Sequence, residues 1–143
     1  MEKTVMALSG AANVGKSTTI MKVRDLLKSK HGCVVEPEGT LEIDVDVRVV
    51  LRINGVRIGI ESQGDPGGRL EESLLRFVEL GCTAIICATR TRGRTVDAVN
   101  KLKPSYNVVW LQQDVKSSAS GQEASNDAMA ERIARNIEKA IGA

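Results

Sequence analysis

The sequence predicts an α/β fold of three layers: a mostly parallel sheet carrying one antiparallel hairpin at residues 45–61, with helices on both faces. Three observations lead there. Short apolar runs alternate along the chain with stretches of helical periodicity. The pair Asn54-Gly55 separates two strictly alternating segments, the strongest short hairpin signal. Finally, Gly10-Ala-Ala-Asn-Val-Gly-Lys-Ser17 matches the phosphate-loop pattern G-x-x-x-x-G-K-[ST] between an apolar run and a helical one.

Taken in order, Thr4 to Leu8 reads as a short buried strand. The helix after the loop is expected from about Gly15 to Lys30, because Ile20, Val23 and Leu27 recur at helical spacing. Lys28, Lys30, His31 and Gly32 then supply the chemistry of a helix C-terminus. Cys33 to Val35 would add a short strand before the polar, Pro-containing stretch Glu36 to Glu42. Val45, Val47, Val49, Leu51 and Ile53 alternate with mostly polar neighbours, as do Val56, Ile58 and Ile60 beyond the turn. A two-residue loop sets Ile53 against Val56, Leu51 against Ile58 and Val49 against Ile60 on one face. On the other face it sets Arg48 against Glu61 and Arg52 against Arg57, a like-charge pair that argues for solvent on that side.

Glu61-Ser-Gln-Gly-Asp-Pro-Gly-Gly68 is a turn-rich loop at a strand end, where ligand-contacting groups gather in open α/β sheets. Leu70, Leu74, Phe77 and Val78 define a helix closed by Gly81. Thr83 to Ala88 is an apolar strand leading into Thr89-Arg-Thr-Arg-Gly-Arg94. Thr95 can cap a helix with Val96, Val99 and Leu102 inward and Pro104 at its end. Asn107 to Leu111 is a further buried-type strand, and residues 112 to 121 form a polar, Ser-rich connection. Ser120-x-x-Glu123 has the form of a capping box opening a helix to about residue 141.

The 143 residues are one domain's worth of chain, and with one Phe, one Tyr and one Trp the core must be almost wholly aliphatic. A net charge of +2 supplies no field for nucleic acid or an anionic membrane, and three aromatics leave little for a base-stacking surface. Cys33, Cys82 and Cys87 lack zinc-ligand spacing and there is a single histidine, so reduced thiols and a cytoplasmic location are expected. The apolar run after Met1-Glu2-Lys3 is too short for a signal segment or a membrane span.

The loop carries most of the functional information. Its glycines leave the backbone free to curl, so that successive N–H groups point inward around a phosphate chain at the positive end of the following helix. Gly10, Ala11, Ala12, Asn13, Val14, Gly15, Lys16, Ser17 and Thr18 would form the cradle, Lys16 bridging the outer phosphates and Ser17 holding Mg²⁺. Such a match arises by chance in a chain of this length on the order of once in a hundred. Mg²⁺ also calls for an acidic residue at a neighbouring strand end, for which Glu61 and Asp65 are the candidates. Glu61 reads equally as a surface ion pair with Arg48, and Asp65 as a helix cap or as a group positioning a water or a substrate hydroxyl. Arg90, Arg92 and Arg94 follow a strand's C-terminal end, either as a solvated loop or as charges that offset phosphoryl transfer. Asp44 and Asp46 read as an exposed strand face, and His31 as a helix-end cation.

On these residues the chain resembles the P-loop NTPases. Gly10-x-x-Asn-Val-Gly-Lys-Ser-Thr18 is similar to the loop of bacterial small GTPases, with Ala12 where those usually carry Pro. A helix, a polar segment containing Thr40, a hairpin and an acidic loop is the element order of Ras-like proteins. The resemblance implies Thr40 in a first switch, Glu61-Ser-Gln-Gly64 in the place of the D-x-x-G motif, and Ser118-Ala119 in the place of a final guanine-binding segment. Glu61 replaces the family's Asp, however, and Thr89-Arg90-Thr91-Arg92 lacks the guanine-reading Asp, so guanine specificity is not implied. The expected ligands are ATP, with GTP as the alternative, and Mg²⁺, and the expected activity is nucleoside-triphosphate hydrolysis assisted by Lys16, Asp65 and Arg90. Two other readings stand beside it. One is a small nucleotide or metabolite kinase using the Arg90, Arg92 and Arg94 loop as a lid. The other is a nucleotide-dependent switch, with segments 36 to 44 and 62 to 69 reordering to bind a protein partner. A homodimer is equally open.

Overall fold

A computed structural model describes residues 3–10, 15–43, 46–62, 69–112, 116 and 118–142, with the side chains of 39 and 41–47 left aside. The elements are β1 (Thr4–Ser9), α1 (Lys16–Lys30), β2 (Val34–Ile43), β3 (Asp46–Ile53), β4 (Val56–Glu61), α2 (Arg69–Glu79), β5 (Ala84–Thr89), α3 (Arg94–Asn100), β6 (Asn107–Gln112) and α4 (Ala119–Ile141). The strands form one mixed α/β sheet in the order β2-β3-β4-β5-β1-β6. β4, β5, β1 and β6 pair in parallel, while β2 with β3 and β3 with β4 pair antiparallel.

The hairpin forms in the register its alternation predicts: Ile53 faces Val56, Leu51 faces Ile58 and Val49 faces Ile60. Asn54 and Gly55 hold φ of 52° and 79°, the pair of positive values that a tight turn between right-twisted strands requires.

β2 departs from the sequence expectation. It is a ten-residue strand that includes Pro37 and the polar stretch, where only a short strand over Cys33 to Val35 was expected. The edge position explains this, because an outward-facing edge does not need the N–H that proline lacks. Pairing with β3 shifts register between Glu36 and Leu41. Thr40 bridges the irregularity: its hydroxyl donates to the Glu36 carbonyl at 2.6 Å and accepts from the Val50 N–H at 3.1 Å, so a side chain replaces the missing ladder bond. The third strand also accounts for the like-charge pair. Arg52 does face Arg57, but Glu36 lies 3.3 Å from the Nε of Arg52 and 3.6 Å from that of Arg57, which offsets the repulsion without solvent alone having to do so.

Strand alternation divides the core in two. Met6 and Leu8 of β1, Ile58 and Ile60 of β4 and Ile86 of β5 join Ile20, Val23 and Leu27 of α1 and Ile133 and Ile137 of α4. Val5, Ala7, Ile85 and Cys87 join Leu70, Leu74 and Phe77 of α2 and Ala98 and Val99 of α3. Val78, expected inward, is exposed, and Ser73 takes a buried position on α2 instead. Lys22 pairs with Asp127 at 2.6 Å and His31 with Glu138 at 2.8 Å, tying α1 to α4 near the middle of α1 and at its C-terminal end.

Two helix starts differ from expectation. Ser118, not Ser120, caps α4, its hydroxyl accepting the Gly121 N–H at 3.0 Å. Thr95 lies inside α3, whose N-cap is Gly93, and its hydroxyl accepts the Arg90 N–H at 2.9 Å. Among the described residues no helix is long and apolar enough to cross a membrane.

Gly59 lies directly under Phe77, where an added Cβ would stand 2.4 Å from the ring. We expect Gly59→Ala to cost about 1–3 kcal/mol through overpacking. Urea unfolding reads this directly, and adding Phe77→Leu should restore part of the loss.

Candidate functional site

The chain leaves β1 at Ser9 and turns through Gly10, whose N–H donates to the Thr89 carbonyl at 3.2 Å. Ala11, Ala12, Asn13 and Val14 lie outside the described residues, as does Asp65. The loop returns at Gly15, where glycine is needed twice over. Its φ is +85°, and a Cβ there would stand 2.9 Å from the side-chain amide of Asn126.

α1 starts poorly by the ordinary rules of helix stability. Its N-cap, Gly15, has no side chain to cap it and no acidic residue stands in its first turn, while its first residue, Lys16, sets a cation at the positive end of the helix dipole. An anion at that end would reverse the sign of each of these deficits. α4, capped by Ser118, is the contrasting case within the same chain.

Lys16 is only 7% exposed. Its ammonium donates to the carbonyls of Gly10 and Thr89, so it stretches across the C-terminal ends of β1 and β5, the sheet edge at which ligands gather in parallel folds. Ser17 Oγ donates to the Ser62 carbonyl at 3.0 Å. The first turn of α1 therefore reaches the end of β4, although β5 lies between β4 and β1 in the sheet. Thr18, on the same turn, is exposed.

Glu61 stands opposite Arg48 in register, but it is not a surface residue. It is fully buried, and its Oε1 accepts from the Ser73 hydroxyl at 2.6 Å and from Arg69 Nε at 3.0 Å. Where the sequence offered a surface ion pair as one reading, the carboxylate is held inside the fold by Arg69 and Ser73 of α2, two residues that had no role in the sequence reading. The structure brings Ser17 to the residue after Glu61 and turns the Glu61 carboxylate towards α2. Cys87, opposite Glu61 on β5, has its thiol pushed up to about 12 by burial and secondarily by the Glu61 charge. Burial raises the Cys82 thiol to about 12 as well, with Arg57 pulling the other way.

Arg90 follows β5, its backbone anchored by Thr95. Arg92 is exposed, and Arg94 at the start of α3 lies 3.9 Å from Glu71. Thr40 does not join the loop: it sits in the β2 irregularity, four strands from β1, roughly 19 Å at the usual strand spacing. Its place in a first switch is overturned because the polar stretch pairs as an edge strand.

Asn126, Thr89 and Ser62 are site residues that sequence reasoning missed. Asn126 had a legible signal, a polar residue on the stripe of Ala130, Ile133, Ala134, Ile137 and Ile141 that α4 buries; Gln122 orients its amide at 2.9 Å. Thr89 and Ser62 contribute through backbone carbonyls, which carry no side-chain signature. No family model, no curated protein and no solved structure matches this chain.

The buried thiols set a pH dependence. Each keeps its proton where the unfolded chain, titrating near 9.0, has lost it. The unfolded state then binds fewer protons, so stability is intact below about pH 9 and falls as pH rises towards 12, by up to about 1.4 kcal/mol per pH unit for each thiol. Urea unfolding across this range checks the sign. Alkylation at about pH 8 should label half-buried Cys33 in the native chain, and Cys82 and Cys87 only after unfolding. Gly15→Ala should cost about 1–2 kcal/mol from the left-handed backbone alone, with a further loss from displacing Asn126, read as a lowered melting temperature.

Proposed function

We propose that this chain is a nucleoside-triphosphate-binding P-loop protein of three-layer architecture that hydrolyses ATP with Mg²⁺, GTP being the alternative base. One observation carries the reading: a buried ammonium, Lys16, spans two strand-end carbonyls beside a helix start whose N-cap is a glycine. Phosphate oxygens entering there replace neutral carbonyl acceptors with charged ones, and charge-assisted hydrogen bonds are roughly twice as strong. Backbone N–H groups of the loop and of the first turn of α1 complete the cradle.

Ser17 and the Ser62 carbonyl are hard oxygen donors of the type that Mg²⁺ takes, so these two groups suit the ion, while the Glu61 carboxylate is engaged by Arg69 and Ser73 instead. When bound, the metal neutralises charge on the phosphate oxygens. Asp65 orients the attacking water and Arg90 offsets charge at the γ-phosphate. Water adds to the γ-phosphorus as its bond to the β–γ bridging oxygen breaks, giving a nucleoside diphosphate, inorganic phosphate and a proton.

Exposed Arg92, close in sequence to the Thr89 that holds Lys16, favours a second reading as a small phosphotransferase. Phosphate release in water without an added acceptor separates the two.

Calorimetry with Mg-ATP and Mg-GTP tests the proposal. Lys16→Ala should weaken binding by about tenfold to a hundredfold, the value of one or two hydrogen bonds from a charged donor. Equal affinity of the wild type and a folded Lys16→Ala variant for both nucleotides overturns it.

A further inference from the structure

Trp110, the single tryptophan, is 38% exposed on β6, an edge strand of the sheet. Register sets it opposite Ala7, which belongs with Val5 to the core shared with α2 and α3, so alternation puts Ser9 and Trp110 on that same face. α3 is only seven residues long, and beside it a pocket remains, lined by Ser9, Thr91, Val96, Asn100, Lys103 and Trp110. Asn100 lines this pocket, and its amide oxygen is buried with no hydrogen-bond partner among the described residues. At its upper end Ser9 directly precedes Gly10, whose carbonyl holds Lys16, one Cα step of about 3.8 Å from the phosphate loop.

We infer that this pocket receives the base of the loop-bound nucleotide, and adenine in preference to guanine. The inference rests on the loop's binding a triphosphate. An indole face is a stacking surface for a base of any kind; one tryptophan cannot track a nucleic-acid strand, but it suffices for a single base. A buried carbonyl oxygen without a donor costs free energy until one arrives. The adenine edge formed by N6 and N7 meets a side-chain amide at two points, the amino group donating to its oxygen and the ring nitrogen accepting from its NH₂. Guanine offers two acceptors on that edge and leaves the Asn100 oxygen unsatisfied. Thus the loop holds the phosphates, and Trp110 with Asn100 reads what they are attached to.

Trp110 is its own reporter. Mg-ATP should quench its emission saturably, whereas Mg-tripolyphosphate should bind, by calorimetry, without quenching. Asn100→Ala should weaken ATP about tenfold and narrow the preference for ATP over GTP. It should leave tripolyphosphate affinity at the wild-type value, which also reports that the variant is folded. ATP binding with unchanged Trp110 emission, or with unchanged affinity in both Asn100→Ala and Trp110→Ala, overturns the base pocket and leaves the loop reading standing. Adenosine that quenches Trp110 without competing with ATP overturns it too, since the base would belong to a separate ligand. If neither ATP nor tripolyphosphate binds the wild type, the loop reading fails and takes this inference with it.

Discussion

The upper edge of the sheet is organised around one buried ammonium. Lys16 belongs to α1, yet its donors end on Gly10 at the end of β1 and on Thr89 at the end of β5. A charge removed from water is tolerable only where hydrogen bonds replace its hydration, and carbonyls at strand ends, beyond the last ladder partner, are available to do so. The same Thr89 carbonyl also accepts the Gly10 N–H. One atom therefore anchors both the loop's entry and the lysine at its exit, and Asn126 brings α4 against the loop at Gly15. A helix start that breaks the rules of capping and charge is held in place from outside the helix.

Strand alternation decides how the polar groups are shared between the two sides of that edge. Even-numbered positions of β1 and β4 face α1 and α4, and odd-numbered ones face α2 and α3. Glu61 is odd. Its carboxylate therefore meets Arg69 and Ser73, while the next carbonyl along the chain, that of Ser62, meets Ser17. A buried carboxylate is stable only when paired and hydrogen-bonded, and α2 supplies both requirements from one turn of helix. The arrangement couples the N-terminus of α1 to that of α2 through Glu61, the last residue of β4, and Ser62 directly after it.

Much of the fold was legible because the signals were local. The hairpin needed only alternation and a turn that accepts positive φ, and its register followed pair by pair. The strand before Gly10 and the helix that begins at Lys16 needed only a short apolar run and helical spacing on either side of the Gly, Lys and Ser. What escaped was decided by partners distant in the chain. β2 hid behind Pro37 and three glutamates because an edge strand, unlike a central one, tolerates proline and charge. Ser118 outcompeted Ser120 for the cap of α4, although Ser120 had the better local pattern, with Glu123 three residues on. Glu61 read equally as a metal-side carboxylate and as a surface residue because its neighbours on β4 do not betray that Arg69 and Ser73 will cover it.

Within Gly10 to Ser17 the order of residues specified a break between a strand and a helix and a lysine near that helix's start, since those follow from neighbouring residues; the positive φ of Gly15 and the start at Lys16 came with the structure. The carbonyls that lysine would find, the face to which Glu61 would turn, and the exposure of Trp110 beside Asn100 followed only from strand order. Placing β5 and β6 on either side of β1 is a choice made by the packing of two apolar cores on one sheet, and no short segment of the chain contains it.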